Sequence, residues 1–127
     1  MSTRAIYTFT DEKNDSHHVF KHHDGYPAGA AEFISKAVPL AWPAPRFEPD
    51  EFAAAFIAAN KDMPGGIRLC RTGSFDQIAS SDIEFHYIVT TRFGRLHVMA
   101  YDVGVELRQT LIFDGTPAAF VEWAAKQ

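Results

Sequence analysis

At 127 residues, 46% hydrophobic and 13% aromatic, the chain has the size and core-forming content of one globular domain. A formal charge of −4 argues against a nucleic-acid partner, which would favour a basic face, and is too mild for an acidic mimic of nucleic acid. The single Cys70 excludes an internal disulfide, the N-terminal stretch lacks a signal-like apolar segment, and the longest apolar run, Phe52 to Ala59, falls far short of the ~20 residues that span a bilayer.

In chain order, residues Thr3 to Thr10 predict a strand with Ala5, Tyr7 and Phe9 on one face. The polar turn DEKNDS leads to a second strand over His17 to His22. Asp24-Gly25-Tyr26-Pro27 stops it: Asp24 caps the turn, Gly25 supplies positive φ, and Pro27 fits the first turn of a helix from about Ala28 to Val38. Phe33, Ile34, Ala37 and Val38 form its apolar stripe, and Pro39 ends it. An ordered proline-rich connection, anchored by Leu40, Trp42 and Phe47, precedes a second helix opened by Pro49 and closed near Asn60. KDMPGG reads as loop, IRLCR as a short strand, and TGSFDQIASSD as another loop. IEFHYIVTT and RLHVMAYDV flank the hairpin signal Phe93-Gly94, and ELRQTLIF follows a turn at Val103-Gly104. Thr116 and Pro117 launch a short C-terminal helix docked by Phe120 and Trp123. The predicted fold is a single α+β domain over residues 1–127. A mainly antiparallel sheet of five to six strands carries helices on one face, in the order ββαα, ββββ, α.

Six histidines invite a metal hypothesis, which strand geometry weakens. With Phe93-Gly94 as a two-residue turn, Val89 faces Val98, Tyr87 faces Ala100 and Phe85 faces Asp102, with Ile83, Leu96, Leu107 and Leu111 on the same side. His86, Ile88, His97, Met99, Tyr101, Glu106 and Arg108 fall on the opposite face. His97 pairs with Thr90, which puts it about 13 Å from His86, beyond the reach of one ion. In the first hairpin a six-residue loop pairs Phe9 with His18, Tyr7 with Phe20 and Ala5 with His22. His18 and His22 then flank Phe20 on the aromatic face, again about 13 Å apart. No metal site and no cofactor are expected.

The remaining catalytic candidates are His22, His23, Asp24 and Tyr26 at the mouth of the first helix, where a His–Asp pair would orient an imidazole. A turn that only launches the helix explains the same residues. There is no nucleotide-binding glycine loop, nucleophile elbow or paired-cysteine spacing, and MPGG is no phosphate cradle. Cys70 reads as an inert thiol, and Trp42 as a lid on the core.

The segment VFKHHDGYPAGAAEFI, continuing through LAWPAPRFEPDEFAAAFIAANK, resembles a group of small uncharacterised phage and prophage proteins. These share an aromatic-x-His-x-Asp-Gly-Tyr-Pro segment followed by a helix. The matching residues are Phe20, His22, Asp24, Gly25, Tyr26, Pro27 and Gly29, within a similarity covering Ile6 to Lys61. The resemblance implies a phage or prophage context and carries no activity.

The expectation is therefore a cytoplasmic, non-enzymatic accessory factor that binds another protein or itself. The mixed face of His86, Ile88, His97, Met99, Tyr101 and Arg108, or a strand edge, would form a homodimer. The alternatives are a small metal-assisted hydrolase or nuclease-like enzyme built on the His-His-Asp-Gly-Tyr-Pro loop, and a small-molecule binder with a pocket between Trp42, Tyr26 and the sheet.

Overall fold

The structure, a computed structural model, describes residues 2–13, 15–61 and 66–127. The loop predicted over KDMPGG, with its MPGG segment, lies largely outside them. Six strands form one sheet: β1 (Arg4–Thr10), β2 (Ser16–Lys21), β3 (Ile67–Leu69), β4 (Ile83–Arg92), β5 (Arg95–Val103) and β6 (Gln109–Gly115). Their order is β3-β2-β1-β4-β5-β6, and every neighbouring pair is antiparallel except β1 and β4, which run parallel. Three of the four helices, α1 (Pro27–Ala37), α2 (Pro49–Asn60) and α4 (Pro117–Ala124), contact one another or the strands around a shared core. The α+β class, the mostly antiparallel sheet and the element order agree with the sequence expectation; the parallel pair makes the sheet mixed.

The helix-covered face is an aromatic core. Tyr7, Phe9, Val19, Tyr87, Val89 and Val98 from the sheet meet Phe52, Phe56 and Phe120 from the helices, all buried. Each such side chain contributes about 1.5–3 kcal/mol of burial. The rings of Tyr7 and Tyr87 stack at 5.1 Å, and Phe56 tilts against Tyr7 at 4.6 Å. Helix α1 buries its small residues, Gly29, Ala30 and Ala31, along with Ile34 and Ala37. Its stripe is thus rotated from the predicted one, and Val38 is exposed. Asn60 closes α2 from inside: its amide donates to the carbonyls of Phe33 and Phe56, tying the two helices together. Lys21, also buried, passes over the Phe33 ring at 4.4 Å.

The β4–β5 register is the predicted one, with Val89 opposite Val98 and Tyr87 opposite Ala100. The first hairpin differs by one residue. Thr10 pairs with Ser16, so Tyr7 faces Val19 and Thr8 faces His18. The Asp11 carboxylate accepts from the amides of Lys13 and Asp15, which tightens the loop and admits Ser16 to the ladder. Because side chains alternate, the slip moves His18 and Phe20 off the aromatic face to the other side, with Val19 and Lys21 taking their place. Two further irregularities act likewise. A register shift at Arg4/Ala5 brings Ile83 opposite Arg4, and one at Ala100/Tyr101 sets Leu111 opposite Tyr101. Ile83 and Leu111, predicted on the helix side, therefore belong to the other face; Leu107, predicted with them, lies in the turn before β6 and packs with Ile83 against Ile6, Phe20 and Phe75.

That second face is covered only in part, by α3 (Phe75–Ile78), a four-residue helix inside the segment predicted as loop. The turn predicted at Val103-Gly104 is longer, with a 3₁₀ turn over Val105–Leu107 before β6.

Candidate functional site

The register fixes two rows of side chains across the open face. One runs Arg68, Phe20, Ile6, His86, Tyr101 and Leu111; the next runs His18, Thr8, Ile88, Met99 and Asp114, with Cys70 joined to His18 by a backbone hydrogen bond. Segment 71–82 crosses these rows. Two features result, a buried polar network under α3 and an open cleft beside it.

The network centres on Thr8, buried between two imidazoles. Its hydroxyl lies 2.7 Å from His18 Nδ1 and 2.7 Å from His86 Nε2. Proton counting assigns the directions. His18 Nε2 lies 2.9 Å from the Gly73 carbonyl, which only accepts, so the ring proton sits on Nε2 and Nδ1 accepts from Thr8. With its one hydrogen used, Thr8 Oγ1 accepts from His86 Nε2–H. Gln109 Oε1 lies 2.6 Å from His86 Nδ1. Turning the amide so that its nitrogen donates to Nδ1 keeps both rings neutral. With the oxygen accepting from Nδ1–H instead, one of the two imidazoles would carry a second proton. Burial opposes that, pushing the His86 pKa down to about 4 against a weaker opposing pull from Gln109, and burial lowers His18 as well. Phe75 seals the network by stacking on His86 at 4.1 Å.

The cleft is a cavity of about 470 Å³ lined by residues from β1, β2, β3 and segment 71–83. Ile6, Phe20, Ile78 and Ile83 give it an apolar floor, and Arg4, Arg68, Arg71, His22, Cys70 and Asp82 supply its polar groups. Arg4 is neutralised: its Nε lies 3.2 Å from Asp82 and donates to His22 Nδ1 at 3.3 Å. The Ser80 hydroxyl also donates to Asp82, and this bond, with Arg4 behind it, holds the carboxyl below its ordinary range. The other two guanidinium groups are held without being neutralised. Arg68 lies over the Phe20 ring at 5.4 Å, and Arg71 donates to the Gln77 carbonyl at 2.6 Å. Among the described residues neither has a carboxylate partner. Cys70, half-buried between them in sequence, has its thiol pushed up by burial.

The four predicted catalytic residues are divided. His22 lines the cleft, whereas His23 pairs with Ser2 at 3.1 Å. Asp24 and Tyr26 belong to the helix-launching turn. Asp24, not Gly25, adopts positive φ (59°), and Tyr26 is the N-cap without a side-chain capping bond. Gly25 is required for contact: a Cβ there would sit 2.7 Å from the Ala5 Cβ and 2.8 Å from the Thr3 carbonyl. Gly29 is more constrained still, since its Cβ would lie 2.0 Å from the Asp24 carbonyl oxygen. Tyr87, buried in the core, donates to the Gly25 carbonyl at 2.6 Å and clamps the turn from beneath.

Of the predicted interaction surface, His86 is 4% exposed beneath Phe75. Ile88, Met99 and Tyr101 are half-buried, Arg108 is exposed, and His97 bonds to Asp114, which also pairs with Arg92. Trp42 lies under the Arg46 guanidinium, 3.7 Å away, beside a small hollow that Tyr26 does not line. No group of three or more His, Cys, Asp or Glu able to hold a metal occurs among the described residues, and no helix among them is long and apolar enough to cross a membrane. Sequence reasoning missed Thr8, Arg4, Arg68, Arg71 and Asp82. Arginine at two positions of IRLCR, a strand otherwise apolar, was the available signal.

Comparison with family models, curated proteins and solved structures returned no match.

Proposed function

We propose that the protein is a non-enzymatic binding domain that captures a small anion-bearing molecule in the cleft of the open face. The carrying observation is the pair Arg68 and Arg71. Two guanidinium groups are fixed by a ring and a carbonyl, with no carboxylate partner among the described residues, in a concavity of a chain whose net charge is −4. Guanidinium donors presented as planar forks suit carboxylate and phosphate oxygens, and the apolar floor offers area for a ligand body. With its one cysteine held as a thiol, such a binder suits the reducing cytoplasm.

Thermal-shift measurements across a panel of carboxylates, phosphates and sulfates test this reading. Oxyanion ligands raise Tm in a concentration-dependent way for the wild type. The double variant Arg68→Ala/Arg71→Ala keeps the ligand-free Tm and loses the response. An equal response in the double variant, or none in the wild type, rejects the site.

A second reading, interaction with protein or self, is favoured by the strip beyond α3. There Ile88, Met99 and Tyr101 adjoin Leu111, 49% exposed on the edge strand β6. A dimeric mass by light scattering, reduced to monomer in Leu111→Asp, supports it; a monomeric wild type removes it.

A further inference from the structure

Resting on the cleft's role in anion capture, we infer that the ligand class is an organic phosphate monoester, bound as the dianion at the β3 edge with an apolar body laid over Ile6, Phe20 and Ile78. Charge is the first argument. Three guanidinium groups against the single Asp82 carboxylate leave two positive charges, and those two belong to Arg68 and Arg71 on the β3 side. They are three residues apart on one chain segment, so the excess charge is concentrated at one end of the cleft. A monoanion leaves one of these charges unmatched, and a dicarboxylate with separated ends puts its second charge on the apolar floor.

The donor inventory is the second argument. His22 Nδ1 accepts from Arg4, which assigns the proton of the neutral ring to Nε2 and makes that nitrogen a donor. Arg68 and Arg71 only donate. Asp82, the one carboxylate in the lining, is already engaged, accepting from the Ser80 hydroxyl and ion-paired with Arg4. A ligand head rich in acceptors and poor in donors is therefore required, and a phosphate monoester brings three terminal oxygens against the two of a carboxylate. The floor supplies the third argument. Ile6, Phe20, Ile78 and Ile83 extend from the arginine end toward β4, and a cavity of about 470 Å³ exceeds what a bare oxyanion fills.

Calorimetric titration of the full chain with four probes tests the inference: phenyl phosphate, inorganic phosphate, benzoate and the monoanionic diester methyl phenyl phosphate. Phenyl phosphate is expected to bind at least tenfold more tightly than each of the others. Arg68→Ala and Arg71→Ala should each weaken it about tenfold or more, with unfolding curves unchanged. Arg68→Lys, which keeps the charge and loses the planar fork, should recover only part of the affinity. Benzoate or the diester binding as tightly as phenyl phosphate overturns the dianion class while leaving anion capture standing. Inorganic phosphate binding as tightly overturns the role of the apolar floor. No binding by any probe removes the underlying reading itself.

Discussion

The two faces of this sheet are built from the same strands and stabilised in different ways. On the helix-covered side β1 contributes Ala5, Tyr7 and Phe9 to a core closed by α1, α2 and α4. One residue along, the same strand contributes Arg4, Ile6 and Thr8 to a face that α3 and its flanking segment cover in part. The first side rests on apolar area. The second reaches burial through hydrogen bonds, because a four-residue helix cannot supply enough apolar surface. What the sparse cover leaves open is the cleft. The difference teaches that a half-covered sheet holds its fold on one side and has room for chemistry on the other.

The comparison can be broken at four points. The largest effect is expected on the helix side, at Gly29. Glycine to alanine inside a helix ordinarily gains up to about 1 kcal/mol. Here the added Cβ meets the Asp24 carbonyl, so Gly29→Ala should lose about 3–4 kcal/mol or fail to fold, read by denaturant unfolding. An unchanged midpoint would refute the close approach.

The next concerns pH and belongs to the open face. His86 has a folded pKa depressed to about 4, below its unfolded value near 6.5. The unfolded chain binds more protons between these limits, so the stabilisation is complete above about pH 6.5 and is lost as pH falls toward 4. On the order of 3 kcal/mol is at stake, and His18 acts in the same direction. Urea midpoints across this range should fall with pH in the wild type and flatten in His86→Leu; equal slopes would show that the network does not carry the dependence.

Phe75→Ala uncovers the same imidazole. Its cost should be about 2 kcal/mol, below the usual value for a core phenylalanine because the short α3 can loosen by itself. Amide exchange should rise first in segment 71–82 and leave β4 protected. Uniform loss of protection would mean that the two faces are one cooperative unit.

The smallest effects come from two stacked tyrosines. Tyr87 donates to Gly25, whereas the buried Tyr7 hydroxyl has no hydrogen-bond partner among the described residues. Tyr87→Phe should cost about 1 kcal/mol or somewhat more, and Tyr7→Phe should be neutral or stabilising. A reversal of that order would relocate the partner of the turn.

Much of the scaffold was legible because its signals are local. Phe93-Gly94 as a two-residue turn determines every pair of β4 and β5, and Pro27, Pro49 and Thr116-Pro117 mark where three helices begin. The first hairpin failed for a physical reason. DEKNDS contains several residues able to turn, and one extra residue in the ladder reverses which side each histidine faces. The parallel β1–β4 pair leaves no local mark, and FDQI is too short to show a helical period. Ser74 with Gln77, whose side chain accepts from the Ser74 amide at 2.9 Å, was the one readable sign of α3. The cleft drew on Arg4, His22, Arg68, Arg71 and Asp82 from separate segments, and only the strand order brings them together.

The central place of β1 also bears on how the chain is made. Its hairpin with β2 can close once residue 21 has left the ribosome, but its other edge waits for β4, which begins at Ile83. Synthesis proceeds at about 5–20 residues per second, so that edge stays bare for several seconds. During the interval a hairpin bearing Tyr7, Phe9, Val19 and Phe20 offers a pairing surface to any neighbouring nascent chain. Non-local pairing of this kind is slow to form, so yield in the cell should depend on translation speed through α1 and α2 as well as on the stability of the finished fold.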